Sequence, residues 1–89
     1  MTYYVYAIRD VVSDVFTMPI FSRSDEEMTR NVAYNLAHGD SMMRDYASDY
    51  DLYRIGIFDD ADGSLAPCQH VLVAHLSSLV KGGDDDASN

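Results

Sequence analysis

The chain predicts an α+β domain: a small antiparallel or mixed β-sheet made by two hairpins, with one helix packed on one face. Three observations carry this. Two matched β-type runs, Tyr3-Tyr4-Val5-Tyr6-Ala7-Ile8-Arg9-Asp10 and Asp51-Leu52-Tyr53-Arg54-Ile55-Gly56-Ile57-Phe58-Asp59, each hold one Arg and close on an Asp. A single segment of helical periodicity lies between them. Turn-forming residues follow each run.

Tyr3 to Arg9 alternates Tyr3, Val5, Ala7 and Arg9 with Tyr4, Tyr6 and Ile8. Both faces are largely apolar, as expected of a central strand. Asp10 to Asp14 is polar and short, which suits a hairpin loop although it lacks Gly. Val15 to Met18 would be the returning strand. Pro19 has no N–H to donate, so that strand ends there or lies at an edge.

A helix is predicted over 25–38. Ser24 is the N-cap and Glu27, three residues on, completes a capping box. Asp25, Glu26 and Glu27 place negative charge at the positive end of the helix dipole. Met28, Val32, Ala33, Leu36 and Ala37 form one apolar stripe, with the alanines allowing a close approach to the sheet. His38 suits the last turn, and Gly39 offers a left-handed stop.

Asp40 to Tyr50 is a polar connection with room for a helical turn over Ser41 to Tyr46. Asp51 to Phe58 is the next strand, and Asp62-Gly63 is the strongest hairpin signal in the chain. Ser64 to Ala66 begins the return, and Pro67 is expected to end it. Val71 to Val80 fits both periods: a short strand over 71–74 is expected, then an irregular or helical end. Residues 1–80 thus form one domain, and 81–89, rich in Gly and Asp, a disordered acidic tail.

The wording of these runs resembles one family. Tyr3 to Asp10, the step Pro19-Ile20-Phe21, and Asp51 to Gly56 with Phe58-Asp59 are similar to the small nonstructural protein of gokushoviruses, single-stranded-DNA phages of the Microviridae. The resemblance spans roughly residues 2 to 67. The position of Ile57, often acidic in that family, is apolar here. The resemblance implies a phage protein made in the host bacterial cytoplasm and not kept in the virion. It also implies a role in viral single-stranded DNA synthesis or packaging through DNA binding.

Composition bounds these expectations. A chain of 89 residues has a small core, and a homodimer would bury more surface. The apolar share of 47% excludes a disordered chain. Cys68 is the one cysteine, so no intrachain disulfide forms. Neither a secretory signal pattern nor an apolar run of membrane-spanning length is present, so no membrane association is expected. Fifteen acids oppose six bases, giving −9, and without residues 81–89 twelve acids still oppose five bases. Those five are Arg9, Arg23, Arg30, Arg44 and Arg54, scattered along the chain. Such a balance argues against tight phosphate-driven DNA binding but leaves room for a local patch.

Seven tyrosines are the richest source of candidate contacts. If one helix covers one face of the sheet, rings on the other can stack on unpaired bases, with arginines holding phosphates at the rim. Tyr4, Tyr6, Arg9, Tyr53 and Arg54 are the candidate nucleic-acid-binding residues. Against this stand packing of the rings in the core or a dimer interface, and pairing of Arg9 and Arg54 with Asp10, Asp51 or Asp59.

Asp59, Asp60 and Asp62 lack the closing Glu of a calcium loop and read as a solvated turn. Cys68, His70, His75 and His38 match no metal spacing, and Cys68 has no adjacent base, so neither metal nor cofactor is expected. Without a phosphate loop, a nucleophile motif or room for a deep pocket, the chain is not expected to be an enzyme. Two functions remain. One is single-stranded DNA binding by an open sheet face. The other is docking of the acidic surface, Asp84-Asp85-Asp86 included, on a basic phage replication or capsid protein or on a host factor.

Overall fold

The computed structural model describes residues 1–39 and 41–80. The acidic tail expected at 81–89 lies outside them. The elements run β1 (Thr2–Asp10), β2 (Val15–Phe16), β3 (Ile20–Ser22), α1 (Asp25–His38), α2 (Ser41–Asp45), a 3₁₀ turn (Ala47–Asp49), β4 (Tyr50–Asp59), β5 (Ser64–His75) and a last 3₁₀ turn (Leu76–Leu79). The five strands form one open antiparallel sheet in the order β2-β1-β4-β5, with β3 also on β1. This is the expected α+β architecture.

β1 is the central strand. Val5, Tyr6, Ala7 and Ile8 are buried in succession, so both of its faces are covered. Tyr6 and Ile8 face α1 and join Met28, Val32, Leu36, Ala47, Leu52 and Leu76 in the core. The helical stripe therefore does what its spacing predicts, except that Ala37 is exposed.

Ser24 caps α1, its hydroxyl accepting from the Glu27 N–H at 3.1 Å. The Glu27 carboxylate takes the Ser22 hydroxyl at 3.3 Å, tying β3 to the helix start. Gly39 ends α1 at φ −126°, not in the left-handed stop expected of it. Its N–H reaches the Asn35 carbonyl at 2.7 Å, and a Cβ there would lie 3.0 Å from that same oxygen. Close approach, not handedness, is what this glycine supplies.

Two strand bounds are corrected. The return from β1 is not one strand over Val15 to Met18 but β2 and β3, interrupted at residues 17–19. There the Thr17 hydroxyl accepts from the Ile8 N–H at 3.0 Å, and the Thr17 N–H donates to the Ile8 carbonyl at 2.8 Å. Thr17 thus satisfies both backbone groups of Ile8, its hydroxyl standing in for a carbonyl acceptor where the ladder is interrupted. Pro67 does not end the last strand, because β5 runs through it to His75. β5 is an edge strand, where a residue without an N–H is tolerated. The pairing with β4 absorbs the misfit by irregularities between Leu52 and Tyr53 and between Arg54 and Gly56.

The matched ends of the two strand runs have a matched structure. After β1, the Asp10 carboxylate accepts from the Val12 N–H at 2.9 Å, its carbonyl from the Asp14 N–H at 2.7 Å, and Asp14 sits at φ 62°. After β4, the Asp59 carboxylate accepts from the Ala61 N–H at 2.9 Å, its carbonyl from the Gly63 N–H at 2.8 Å, and Gly63 sits at φ 74°. Each closing Asp folds its own loop, and Asp14 takes the left-handed residue that the first loop lacked as Gly.

A Cβ at Gly63 would meet no atom within 4 Å. Gly63→Ala is therefore a test of backbone strain alone, and should lower unfolding free energy by about 1–2 kcal/mol in urea titration. The loops also set a pH response. The Ser64 N–H holds the Asp62 carboxyl below its ordinary value. At Asp10 desolvation is the largest single influence and acts upward, but the hydrogen bonds from the Ser13 amide, the Val12 amide and the Ser13 side chain together outweigh it, and the carboxyl is again lowered. Groups depressed in the folded state stabilise it above their unfolded value, about 3.9, and lose that contribution as pH falls through the folded one. The melting temperature should hold from neutrality to mild acid and drop below about pH 4, and Asp62→Ala should drop less over the same range.

Candidate functional site

The sheet has two unlike faces, and the sequence-predicted site residues divide between them. On the face under α1, Tyr6 of β1 lies opposite Arg54 of β4. Asp25, the first residue of α1, joins them. The Tyr6 hydroxyl donates to Asp25 Oδ1 at 2.5 Å, and Arg54 Nη1 donates to Oδ1 at 3.1 Å and Oδ2 at 3.0 Å. The Arg54 guanidinium also sits 5.1 Å from the Tyr4 ring centroid. Burial, and then the Asp25 carboxylate, push the Tyr6 phenol far above its ordinary pKa, so it remains a donor. Tyr6 is fully buried, which removes it from any base-stacking surface.

The opposite face carries no helix and is covered with rings. At one end Tyr3 and Phe58 stand 6.3 Å apart and Phe21 meets Phe58 edge-on at 5.6 Å. At the other end Phe16, Tyr53 and His70 form a triad with centroid separations of 6.0, 5.5 and 6.3 Å. Phe16 and Phe21 remain 40% and 47% exposed, so these rings are accessible as well as packed. Arg9 lies beside the second triad, since β1 pairs Arg9 with Phe16 and Ala7 with Tyr53. Its guanidinium is held by Asp14 at 2.6 and 3.1 Å.

Of the five candidates, Arg9 and Tyr53 thus lie on the ring-covered face, while Tyr4, Tyr6 and Arg54 lie on the helix face. They do not make one surface. Adjacent strand residues point to opposite sides, which separates Tyr53 from Arg54. The face is completed by Tyr3, Phe16, Phe21, Phe58 and His70, which sequence reasoning did not select. Parity with Val5 and Arg9 was a signal for Tyr3. Phe16, Phe21 and His70 depended on strand bounds around Pro19 and Pro67.

The arginines are dispersed. Arg44 lies 3.9 Å from Asp45 and donates to the Leu36 carbonyl at 3.3 Å. Arg23 contacts the Met1 sulfur at 3.7 Å. Arg30 lines a groove of about 550 Å³ between α1 and β5, with Asp25, Glu26, Leu72 and Val73. The Cys68 thiol donates to the Arg54 carbonyl at 3.9 Å, and His75 meets Asp51 at 2.6 Å. Among the described residues no three His, Cys, Asp or Glu side chains are placed to hold a metal ion, and no helix is long and apolar enough to cross a membrane.

These features define a two-layer α+β domain whose sheet is open on one side and aromatic there. The chain belongs to the Phage ORF5 protein family, which it matches over residues 3–79, and is a phage protein. No curated protein and no solved structure matches it.

Asp25 is tested through its neighbours. Tyr6→Phe removes a buried hydrogen bond to a charged group and leaves shape unchanged. It should cost about 1.5–3 kcal/mol of unfolding free energy. In a double-mutant cycle, the effect of Tyr6→Phe should shrink when Asp25 is already Ala.

Proposed function

We propose that this chain is a nonstructural protein of a gokushovirus-type phage, acting in the host cytoplasm in viral single-stranded DNA synthesis or packaging. It works by binding and not by catalysis, and it contacts single-stranded DNA through the helix-free face of the sheet. The observation that carries this is the set of partly exposed rings on that face: Tyr3, Phe21 and Phe58 at one end, Phe16, Tyr53 and His70 at the other. Four-stranded sheets that bind unpaired nucleic acid use open-face aromatics in this way, and each stacked base contributes about 1–3 kcal/mol. Membership of a phage family and the sequence resemblance support the setting.

One observation favours a second reading. Arg9, Arg44 and Arg54 each lie against an acid. The acidic surface would then dock on a basic phage replication or capsid protein, or a host factor, without touching DNA.

Fluorescence anisotropy of a labelled oligothymidylate separates the two. The DNA reading expects binding, and Phe16→Ala and Phe21→Ala should each weaken it by about 1–3 kcal/mol. Arg9→Ala should matter little, since only one phosphate contact is available to lose. Duplex DNA, whose bases are already stacked, should not compete. Failure to bind at low salt would reject the DNA reading and leave the protein-docking one.

A further inference from the structure

We infer that a shallow cavity between the two ring clusters seats one unpaired nucleobase, so that the open face takes three consecutive nucleotides without reading their sequence. This rests on the single-stranded DNA reading above. Along β1 the helix-free face presents Tyr3, then Val5, then Ala7. Along β4 the paired positions are Phe58, Gly56 and Tyr53. Tyr3 with Phe58 and the Phe16-Tyr53-His70 triad stand toward the two ends, Phe21 pairs with Val5 at the middle register, and the floor there is Val5 and Gly56, both buried.

That middle is a cavity of about 280 Å³ walled by Pro19, Leu65 and Pro67. Gly56 is buried and lets the β5 backbone approach β4 closely beneath it. A Cβ there would lie 2.9 Å from the Ala66 carbonyl oxygen and 3.6 Å from the Val5 side chain. Along β1 two residues separate Val5 from Tyr3 on one side and from Ala7, the partner of Tyr53, on the other, about 7 Å each way.

The chemistry of this seat selects its occupant. Floor and walls are apolar side chains, and they suit the flat face of a base whose polar edge stays in water. They offer no side-chain donor or acceptor to tell one base from another. Charge adds little: Arg9 is engaged by Asp14, and Asp59 and Asp60 at the far end are engaged by the Met1 ammonium. Affinity then comes from stacking. With at most one phosphate contact, raising salt from roughly 50 to 200 mM should change it by no more than about threefold.

Protein NMR titration with short oligodeoxynucleotides tests the seat, because it reads weak affinities and reports on Val5 and Leu65 directly. A thymidine trinucleotide should shift both sets of methyl resonances. Replacing its central nucleotide by an abasic one should abolish those shifts and weaken binding at least about fivefold, the loss of one stacked base. Exchanging the central base among the four should change affinity by less than about threefold, as expected where no hydrogen bond reads the base. A central abasic trinucleotide that binds as well as the intact one would overturn the seat and leave the DNA reading standing. A strong preference for one base would also overturn it. If no oligonucleotide binds, both fall. Sedimentation that shows a dimer dissociated by Phe16→Ala would overturn the seat in favour of a second copy on the face.

Discussion

One fourteen-residue helix has to cover a five-stranded sheet, and it can cover only one side. Most of the structure follows from that shortage. Met28, Val32 and Leu36 close the core over Tyr6, Ile8 and Leu52. No second helix exists among the described residues to do the same on the other side, yet Val5 and Ala7 there are as buried as the core itself. Flanking rings and strand returns supply the cover. Large aromatics suit that position because each removes much apolar area with few rotatable bonds, while keeping an edge or face toward water. A face that must be half-packed and half-wet is thereby also a face able to stack on another flat ring.

The Asp25 carboxylate fixes how the two layers meet. It stands at the first turn of α1, where the helix dipole favours it, and accepts from Tyr6 and Arg54 on the two central strands. A partly exposed ion pair alone would contribute little. The buried Tyr6 hydroxyl makes the node directional, because an unpaired hydroxyl in the core would be costly. The node also has an electrostatic outcome: it neutralises one of only five core arginines, as Asp14 and Asp45 neutralise two more. The acidity of the chain is thus left largely uncompensated at the surface, and any polyanion must be held by something other than charge.

Much of this was legible in the sequence because local rules sufficed. The α1 cap, its buried stripe and the central position of β1 follow from Ser24, the Met28-Val32-Leu36 spacing and the two-sided apolarity of Tyr3 to Arg9. The loop after β4 follows from Asp62-Gly63. What was not legible depended on tertiary context. Pro67 reads as a stop, but at a sheet edge its missing N–H has no partner to lose. Pro19 reads as a strand end or an edge, but the pairing resumes at Ile20 beyond it, and Thr17 keeps Ile8 paired by a hydroxyl that no propensity foresees. The ring-covered face was accordingly only half visible. Tyr53 and Arg9 were in recognisable strands, whereas Phe16, Phe21 and His70 lie on segments whose pairing had to be seen. Arg54 and Tyr6 were selected as residue types suited to DNA, and the structure gives both to Asp25.

The outer margin of β5 has a consequence for the protein when it is abundant. An exposed edge of twelve residues would ordinarily invite further strands to add on and grow into fibres. Here Pro67 contributes no donor, and the three residues between it and Val71 span a gap where β4 has only Ile55. The row of free amides is broken in the middle, and neither half is long or straight enough to template an incoming chain. At that margin the interrupted ladder works against edge-to-edge addition of further copies.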